Sequence, residues 1–218
     1  MRRPYVILNS AMSVDGKIAT VAGDSALSCE EDLKRLHRLR ASVDAVMVGA
    51  GTIISDDPSL TVRMVSGKNP MRVVVDGRCR IPLEARVLDR SAKTLVAVSR
   101  SAPKNKVDAL RKMGVEVMVG GDKSVDLKKL LHFLQSKGVK KILLEGGSML
   151  NWEMLKEGLV DEIRIAVAPV VLGGAMAKSL VGGAGFERIA KGTRLKFLGA
   201  RRVGKNLLLR YRVCGART

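Results

Sequence analysis

Two short glycine turns follow apolar runs of the chain, and each has residues suited to binding a phosphate group. The first is Gly49-Ala50-Gly51-Thr52, after the run Ala45–Val48. The second is Glu145-Gly146-Gly147-Ser148, after the run Ile142–Leu144. Glycine lets backbone N–H groups approach a phosphate closely where a helix starts. The two turns therefore predict a site for a nucleotide or another phosphorylated ligand.

The first turn departs from the dinucleotide fingerprint of a Rossmann fold. Ile54 occupies the position of the third glycine, and Asn69-Pro70 stands where an acidic ribose-binding residue is expected. We expect a helical turn from Ile53 to Asp56 after the glycines. A tight turn needed only for packing remains the alternative for this motif.

Glu145 is the residue of the second turn that most clearly suggests chemistry. A carboxylate at the end of a buried strand is costly unless it is paired or has a function. Helix capping and an ion pair are the alternatives to a role at a reacting group.

Two further segments carry charged residues in turns. Arg78 and Arg80 lie in Asp76–Arg80, after the apolar run Val73–Val75, and guanidinium groups suit a 2′-phosphate; a solvated turn is the alternative. Asp56-Asp57 lacks the further carboxylates of a metal site, so Asp56 is expected to cap a helix or to accept hydrogen bonds from a ribose. The segment Asn9–Lys17 is expected to form a turn.

The composition narrows the class of protein. The net charge of +18 predicts attraction to anions, which leaves nucleic acid, anionic lipid and phosphorylated small molecules open. Three scattered cysteines and two distant histidines argue against disulfides and a metal site, and favour a reducing cytosol. No stretch reaches the ~20 apolar residues of a membrane span, and no signal peptide is expected.

Apolar runs alternate with helical patterns, which is typical of an α/β fold with a mainly parallel sheet. The N-terminal helix is expected to have Ser28 as its N-cap and an apolar stripe of Leu33, Leu36 and Leu39. The Gly-rich loop Gly173–Gly185 favours a mobile surface connection. The expected strands are Tyr5–Ala11, Ala45–Val48, Val73–Val75, Thr94–Val98, Val115–Val119, Ile142–Leu144, Ile163–Ala168 and the hairpin of Leu195–Arg202 with Asn206–Val213. The other expected helices are Pro103–Met113, Asp126–Ser136 and Ser148–Lys156.

Several of these blocks in order resemble one family, the reductases of riboflavin biosynthesis that act on a diaminopyrimidinone ribosylamino 5′-phosphate. The chain is most similar to the stand-alone archaeal type, and it is also similar to the reductase domain of the bacterial bifunctional deaminase-reductase. The blocks that carry the resemblance are Ser13-Val14-Asp15-Gly16-Lys17, Gly23-Asp24-Ser25, Gly49-Ala50-Gly51-Thr52, Asp56-Asp57-Pro58 with Leu60-Thr61-Val62-Arg63, Val74-Val75-Asp76, and Glu145-Gly146-Gly147 with Asn151.

The resemblance implies one reductase domain over residues 1–218. It implies a dihydrofolate-reductase-like, three-layer α/β fold with about nine strands and a C-terminal antiparallel hairpin. It further implies NADPH as cofactor, a cytoplasmic homodimer and no metal. The reaction would be hydride transfer to C1′ of the ring-opened imine, which converts the ribosylamino group to a ribitylamino group.

The resemblance also implies roles for individual residues. The cofactor would contact Ala11, Thr52, Asp56, Gly77, Gly146, Gly147, Ser148, Met149, Leu150 and Asn151. The guanidinium chemistry of Arg78 adds that residue to the cofactor contacts. The substrate 5′-phosphate would be bound by Ser25, Arg40 and Arg63, with the backbone near Leu60. Lys17 and Glu145 would lie near the reacting carbon as the catalytic residues. Leu27 stands where bacterial relatives often have a tryptophan.

Two other functions fit part of the sequence. Dihydrofolate reductase would share the fold, but its substrate has no sugar phosphate to use Arg40 and Arg63. A basic nucleic-acid-binding module would explain the charge of +18, yet only 3% of the residues are aromatic and no recognised binding motif is present. The chain is therefore expected to bind neither nucleic acid nor a membrane.

Overall fold

The structure is a computed structural model, and it describes residues 3–215. The strands are β1 (Tyr5–Met12), β2 (Ala45–Gly49), β3 (Met71–Val75), β4 (Thr94–Val98), β5 (Glu116–Val119), β6 (Lys141–Leu144), β7 (Glu162–Val167), β8 (Leu195–Val203) and β9 (Asn206–Val213). The α-helices are α1 (Glu30–Ala41), α2 (Ala50–Asp56), α3 (Lys104–Lys112), α4 (Leu127–Ser136) and α5 (Ser148–Lys156). The described residues divide into two compact units, 3–5 with 38–143, and 6–37 with 144–215.

The first unit contains the strand order β5-β4-β3-β2-β6. The pairs β2–β3, β3–β4 and β4–β5 are parallel. Most residues of β2 and β4 are buried apolar residues, as expected for parallel strands that are covered on both faces. Helix α4 begins as expected, since the carboxylate of Asp126 accepts a hydrogen bond from the backbone N–H of Lys129 at 3.0 Å.

The second unit contains the strand order β1-β7-β9-β8. β1 and β7 are parallel, whereas β9 is antiparallel to both β7 and β8. The turn between β8 and β9 is made at Gly204, whose φ of +56° favours glycine. The mainly parallel strands and the antiparallel C-terminal hairpin confirm the expected arrangement.

Helix α1 differs from the expectation. It begins at Glu30, so Cys29 and not Ser28 precedes its first residue, and the Ser28 hydroxyl donates to Asp32 at 2.7 Å. Leu33 is exposed, while Asp32 and Arg35 are buried. Arg35 bonds Asp32 at 2.6 Å and the side-chain oxygen of Asn9 at 2.9 Å. The expected leucine stripe is therefore wrong at this end, because a buried ion pair occupies the inward face.

Candidate active site

The expected turn Asn9–Lys17 is wrong over its first four residues, because β1 extends through Met12, and the turn itself begins at Ser13. This turn positions the backbone of Lys17. The Ser13 hydroxyl accepts a hydrogen bond from the backbone N–H of Lys17 at 2.9 Å, and the Ser13 N–H donates to the Lys17 carbonyl at 2.8 Å. Gly16 makes the bend with a φ of +79°. The Lys17 ammonium donates to the carbonyl of Ala177 at 3.4 Å. The partly exposed Lys17 thus has a defined position at the end of this turn.

Asp15 connects the same turn to the loop after β7, a role that the sequence analysis did not assign. Its carboxylate accepts hydrogen bonds from the backbone N–H groups of Leu172 at 3.0 Å and Gly173 at 2.7 Å. The Ser13 hydroxyl and these two N–H groups lower the pKa of Asp15 to about 2. No local pattern in the sequence marks this role, because the two N–H groups lie 157 and 158 residues further along the chain.

The Gly-rich loop after β7 is hydrogen-bonded to α5 at two points. The Asn151 side-chain amide donates to the Leu180 carbonyl at 2.8 Å, and the Gly182 N–H donates to the Ser148 carbonyl at 3.1 Å. A Cβ added to Gly183 would lie 2.1 Å from the ring of Trp152. Glycine is therefore required here by close packing, which composition alone does not reveal.

The second glycine turn joins β6 to α5. Glu145 is partly buried, and Gly147 occupies the N-cap position of α5, so Glu145 does not cap this helix. Gly146 has a φ of +94°, and the Gly146–Gly147 peptide bond is cis. Helix α5 has no side-chain cap at its N-terminus, which leaves its first N–H groups suited to an anion.

The residues of the first turn of α5 differ in exposure. Met149 is 61% exposed, whereas Leu150 and Asn151 are buried. The side-chain oxygen of Asn151 is buried and lacks a hydrogen-bond partner among residues 3–215. The Asn151 amide lies beside Gly146, since its nitrogen would be 3.6 Å from a Cβ added there. The turn thus combines an exposed Met149 with a buried hydrogen-bond acceptor, the Asn151 oxygen, beside Gly146.

The first glycine turn lies in the other unit and is built differently. Helix α2 begins at Ala50 with Gly49 as its N-cap, three residues before the expected helical turn. A Cβ added to Gly51 would meet no described atom within 4 Å, and Gly51 is exposed without a left-handed φ. Packing within the described chain therefore does not explain Gly51. Thr52 is partly exposed and Asp56 is exposed on the same helix.

The structure brings three of the expected phosphate-binding residues together around Thr61. Buried Arg40 donates to the Thr61 carbonyl at 3.1 Å, and Arg63 donates to the Thr61 hydroxyl at 3.1 Å. Leu60, directly before, is buried with a φ of +54°. Two guanidinium groups held at one residue provide several N–H donors for a phosphate dianion.

In the turn after β3, the Asp76 carboxylate bonds residues of the same turn. The Asp76 carboxylate accepts hydrogen bonds from the backbone N–H groups of Arg80 and Ile81, and it pairs with the Arg80 side chain at 3.4 Å. The Gly77 carbonyl accepts from the Ser99 hydroxyl at 2.7 Å. Arg78 and Arg80 are both exposed, but the Arg80 side chain is paired with Asp76, so Arg78 is the better placed for a ligand phosphate.

The remaining expected site residues, Ala11 and Ser25, lie in the second unit. Ala11 is partly exposed near the end of β1, and Ser25 lies in the exposed stretch before Leu27. Residues 3–215 contain no group of three or more His, Cys, Asp or Glu residues that could hold a metal ion. None of the helices in the described part is long and apolar enough to cross a membrane.

Comparison with known proteins identifies relatives over the whole length. The family model described as the RibD C-terminal domain matches residues 4–209. The chain is 49% identical over 216 residues to 2,5-diamino-6-ribosylamino-4(3H)-pyrimidinone 5′-phosphate reductase of Methanothermobacter thermautotrophicus, covering 98% of this chain and 100% of that protein.

Solved structures agree with this result. RibD of Acinetobacter baumannii has a TM-score of 0.84 at 30% identity, over 97% of this chain and 58% of that one. Dihydrofolate reductase of Enterococcus faecalis has a TM-score of 0.53 at 14% identity, over 96% of both chains, which shows the fold alone. The expected dihydrofolate-reductase-like fold class is confirmed.

Proposed function

The chain belongs to the RibD C-terminal domain family, and from this premise we propose that it is a reductase of riboflavin biosynthesis. The substrate is 2,5-diamino-6-(ribosylamino)-4(3H)-pyrimidinone 5′-phosphate, and the product carries a ribitylamino group. The observation that carries the proposal is the full-length identity of 49% to a protein with this reductase name. The two arginines at Thr61 support a phosphorylated substrate.

The proposed cofactor is NADPH, and the residues of both glycine turns fit it. Gly51 leaves open space where a side chain would otherwise stand, and the uncapped N-terminus of α5 suits a pyrophosphate. Arg78 supplies a cation for a 2′-phosphate. When bound, the cofactor supplies the hydride for C1′ of the ring-opened imine. The other proposed cofactor contacts are Ala11, Thr52, Asp56, Gly77, Gly146, Gly147, Ser148, Met149, Leu150 and Asn151.

The substrate contacts divide by chemistry. Arg40, Arg63 and the backbone near Leu60 bind the 5′-phosphate, together with the Ser25 hydroxyl. Lys17 and Glu145 contact the sugar or the pyrimidine near the reacting carbon. The nitrogen of the imine needs a proton as C1′ is reduced, and Glu145 or a water molecule donates it.

The proposed functional form is a cytoplasmic homodimer, and the C-terminal hairpin offers a surface for it. On one face of β8 and β9, Phe197 pairs with Tyr211 across the strands, and Leu195 and Leu207 are exposed on the same face. Phe197 is 58% exposed, and an exposed apolar patch on a sheet is typical of a protein interface. We expect sedimentation to give a dimer for the native chain and a monomer for Phe197→Asp. A monomeric native chain would remove the homodimer from the proposal.

The function is tested by supplying the purified protein with NADPH and the ribosylamino substrate and identifying the product by mass spectrometry. We expect NADPH consumption and a product two hydrogen atoms heavier, with slower turnover on NADH. Dihydrofolate and duplex DNA serve as the comparison ligands. Turnover of dihydrofolate alone, or tight salt-dependent DNA binding that competes with NADPH, would contradict the proposal.

A further inference from the structure

The segment 57–60 leads to Thr61, the residue to which Arg40 and Arg63 are bonded, and it has an unfavourable backbone. Asp57 has a φ of +39° and Leu60 a φ of +54°, both in the left-handed region. Residues with a Cβ pay about 1 kcal/mol or more in that region, and leucine has no polar side chain to offset it. The conformation of residues 57–60 therefore depends on contacts with the rest of the first unit.

Arg86 supplies such contacts on the side of Asp57. Its backbone N–H donates to the Asp57 carboxylate at 2.8 Å, and its Nε donates to the Asp57 carbonyl at 2.7 Å. The Nε also lies 3.2 Å from the second carboxylate oxygen. One arginine thus binds both the side chain and the main chain of Asp57, the C-cap residue of α2.

The segment that carries Arg86 is itself anchored by a fully buried arginine of β3. Arg72 is 0% exposed, and it bonds the Asp89 carboxylate at 2.7 Å and the Ala92 carbonyl at 2.7 Å. It also bonds the Thr94 hydroxyl at 2.9 Å. These bonds fix the chain just after the short 3₁₀ turn Arg86–Leu88. The sequence signal for Arg72 is one charged residue inside a run of apolar strand residues.

We propose that Arg86 is a positioning residue for the substrate phosphate. By holding Asp57 it sets the path to Thr61, the residue to which both Arg40 and Arg63 are bonded. This inference rests on the proposed function, because it concerns the phosphate of that substrate. Arg86 itself does not contact the substrate; it acts through Asp57.

Two substitutions that change the net charge in opposite directions distinguish a positioning role of Arg86 from direct binding of the phosphate by Arg86. If Arg86 bound the phosphate, neutralising its partner by Asp57→Asn would free the guanidinium and lower KM for the substrate. If Arg86 acts through Asp57, then Asp57→Asn and Arg86→Gln weaken the same contact. Both changes should then raise KM, although they alter the net charge in opposite directions.

The experiment measures steady-state kinetics and hydrogen exchange for Arg86→Gln and Asp57→Asn. We expect KM for the substrate to rise about tenfold in each, as for the loss of a hydrogen bond to a charged group, with kcat within about twofold. Backbone exchange over residues 57–63 should become faster in both variants. Arg90→Gln is the matched control, since it removes one exposed arginine from the same segment and should change neither quantity.

Three results would overturn the inference. They are a lower KM for Asp57→Asn, an unchanged KM in both Asp57→Asn and Arg86→Gln, or a rise in KM for Arg90→Gln as large as in those two variants. A native enzyme that does not turn over the substrate would instead reject the proposed function. Exchange over residues 57–63 then tests the role of Arg86 by itself. Unchanged exchange in Arg86→Gln contradicts a role for Arg86 in holding Asp57, and faster exchange supports it.

Discussion

The two glycine turns look alike in sequence but are built for different reasons. In the turn after β6, Gly146 has a φ of +94°, and the chain itself requires glycine there. In the turn after β2, Gly51 has neither a left-handed φ nor a neighbour that would exclude a Cβ. The second turn also begins with a carboxylate, Glu145, whereas the first contains none. The comparison shows that the fold requires glycine at position 146 and that nothing within the described residues requires it at position 51.

The largest expected effect concerns the carboxylate that distinguishes the two turns. Replacing Glu145 by Gln keeps the size of the side chain and removes its ability to transfer a proton. We expect kcat to fall about 100-fold, a typical loss for a group active in proton transfer, with NADPH affinity within about threefold. Steady-state kinetics and fluorescence titration of NADPH measure the two quantities.

Glu157→Gln, at an exposed position beyond α5, is the control for this change and should be active. An unchanged kcat in Glu145→Gln would exclude the residue from the reaction. Equal losses of turnover and of cofactor affinity would place it with the cofactor contacts of the second turn.

The next effect tests whether the chain requires Gly146. Gly146→Ala forces an L side chain into the left-handed region, and we expect a loss of roughly 1–3 kcal/mol in the free energy of unfolding in urea. Activity should fall as well, because the turn positions Glu145. Gly138, with a φ of +84° after α4, is a matched control: Gly138→Ala should lose similar stability and keep its activity. Undiminished stability in Gly146→Ala would remove the contrast between the turns.

The opposite result is expected for Gly51→Ala. Alanine is favoured over glycine inside a helix, so the unfolding free energy should stay level or rise by up to about 1 kcal/mol. KM for NADPH should nevertheless increase, because the added methyl group occupies the space left for a phosphate. A loss of stability would show instead that Gly51 is a packing glycine, the alternative that its sequence left open.

The smallest effect concerns the hydrogen bonds that join the Asp15 carboxylate to the loop after β7. Its pKa is lowered to about 2 in the folded chain, so it stabilises the fold above its usual pKa near 4 and loses this contribution as the pH falls toward 2. The melting temperature of Asp15→Asn should therefore lie below that of the native chain at pH 6, and the gap should close toward pH 2. Asp122→Asn, at an exposed carboxylate paired with Arg100, should show a smaller gap. A gap that persists at pH 2 would contradict this role.

Local patterns predicted much of the fold. Asp126 followed by leucines at helical spacing was enough for α4, and the glycine between two apolar runs was enough for the C-terminal hairpin. The stripe of Leu33, Leu36 and Leu39 was wrong at Leu33 because Arg35 is buried, with one partner in Asp32 and a second in Asn9, which lies 26 residues away on β1. Tertiary pairs of this kind leave no periodic signal in a sequence.

The candidate site was predictable only in part for a similar reason. Arg40 and Arg63 came from the family resemblance, and the structure adds the shared residue, Thr61, that brings them together. Arg72 and Arg86 donate hydrogen bonds to backbone carbonyls of residues that are distant in the sequence. Every residue has a backbone carbonyl, so the sequence does not show which one accepts such a bond.

The central claim is tested most directly by following the transferred hydrogen. The native protein is incubated with the ribosylamino substrate and NADPH that carries deuterium at the reactive carbon of the nicotinamide. We expect one deuterium at C1′ of the ribitylamino product, located by fragmentation in a mass spectrometer. A reduced product with deuterium at another carbon, or no reduced product at all, would contradict it.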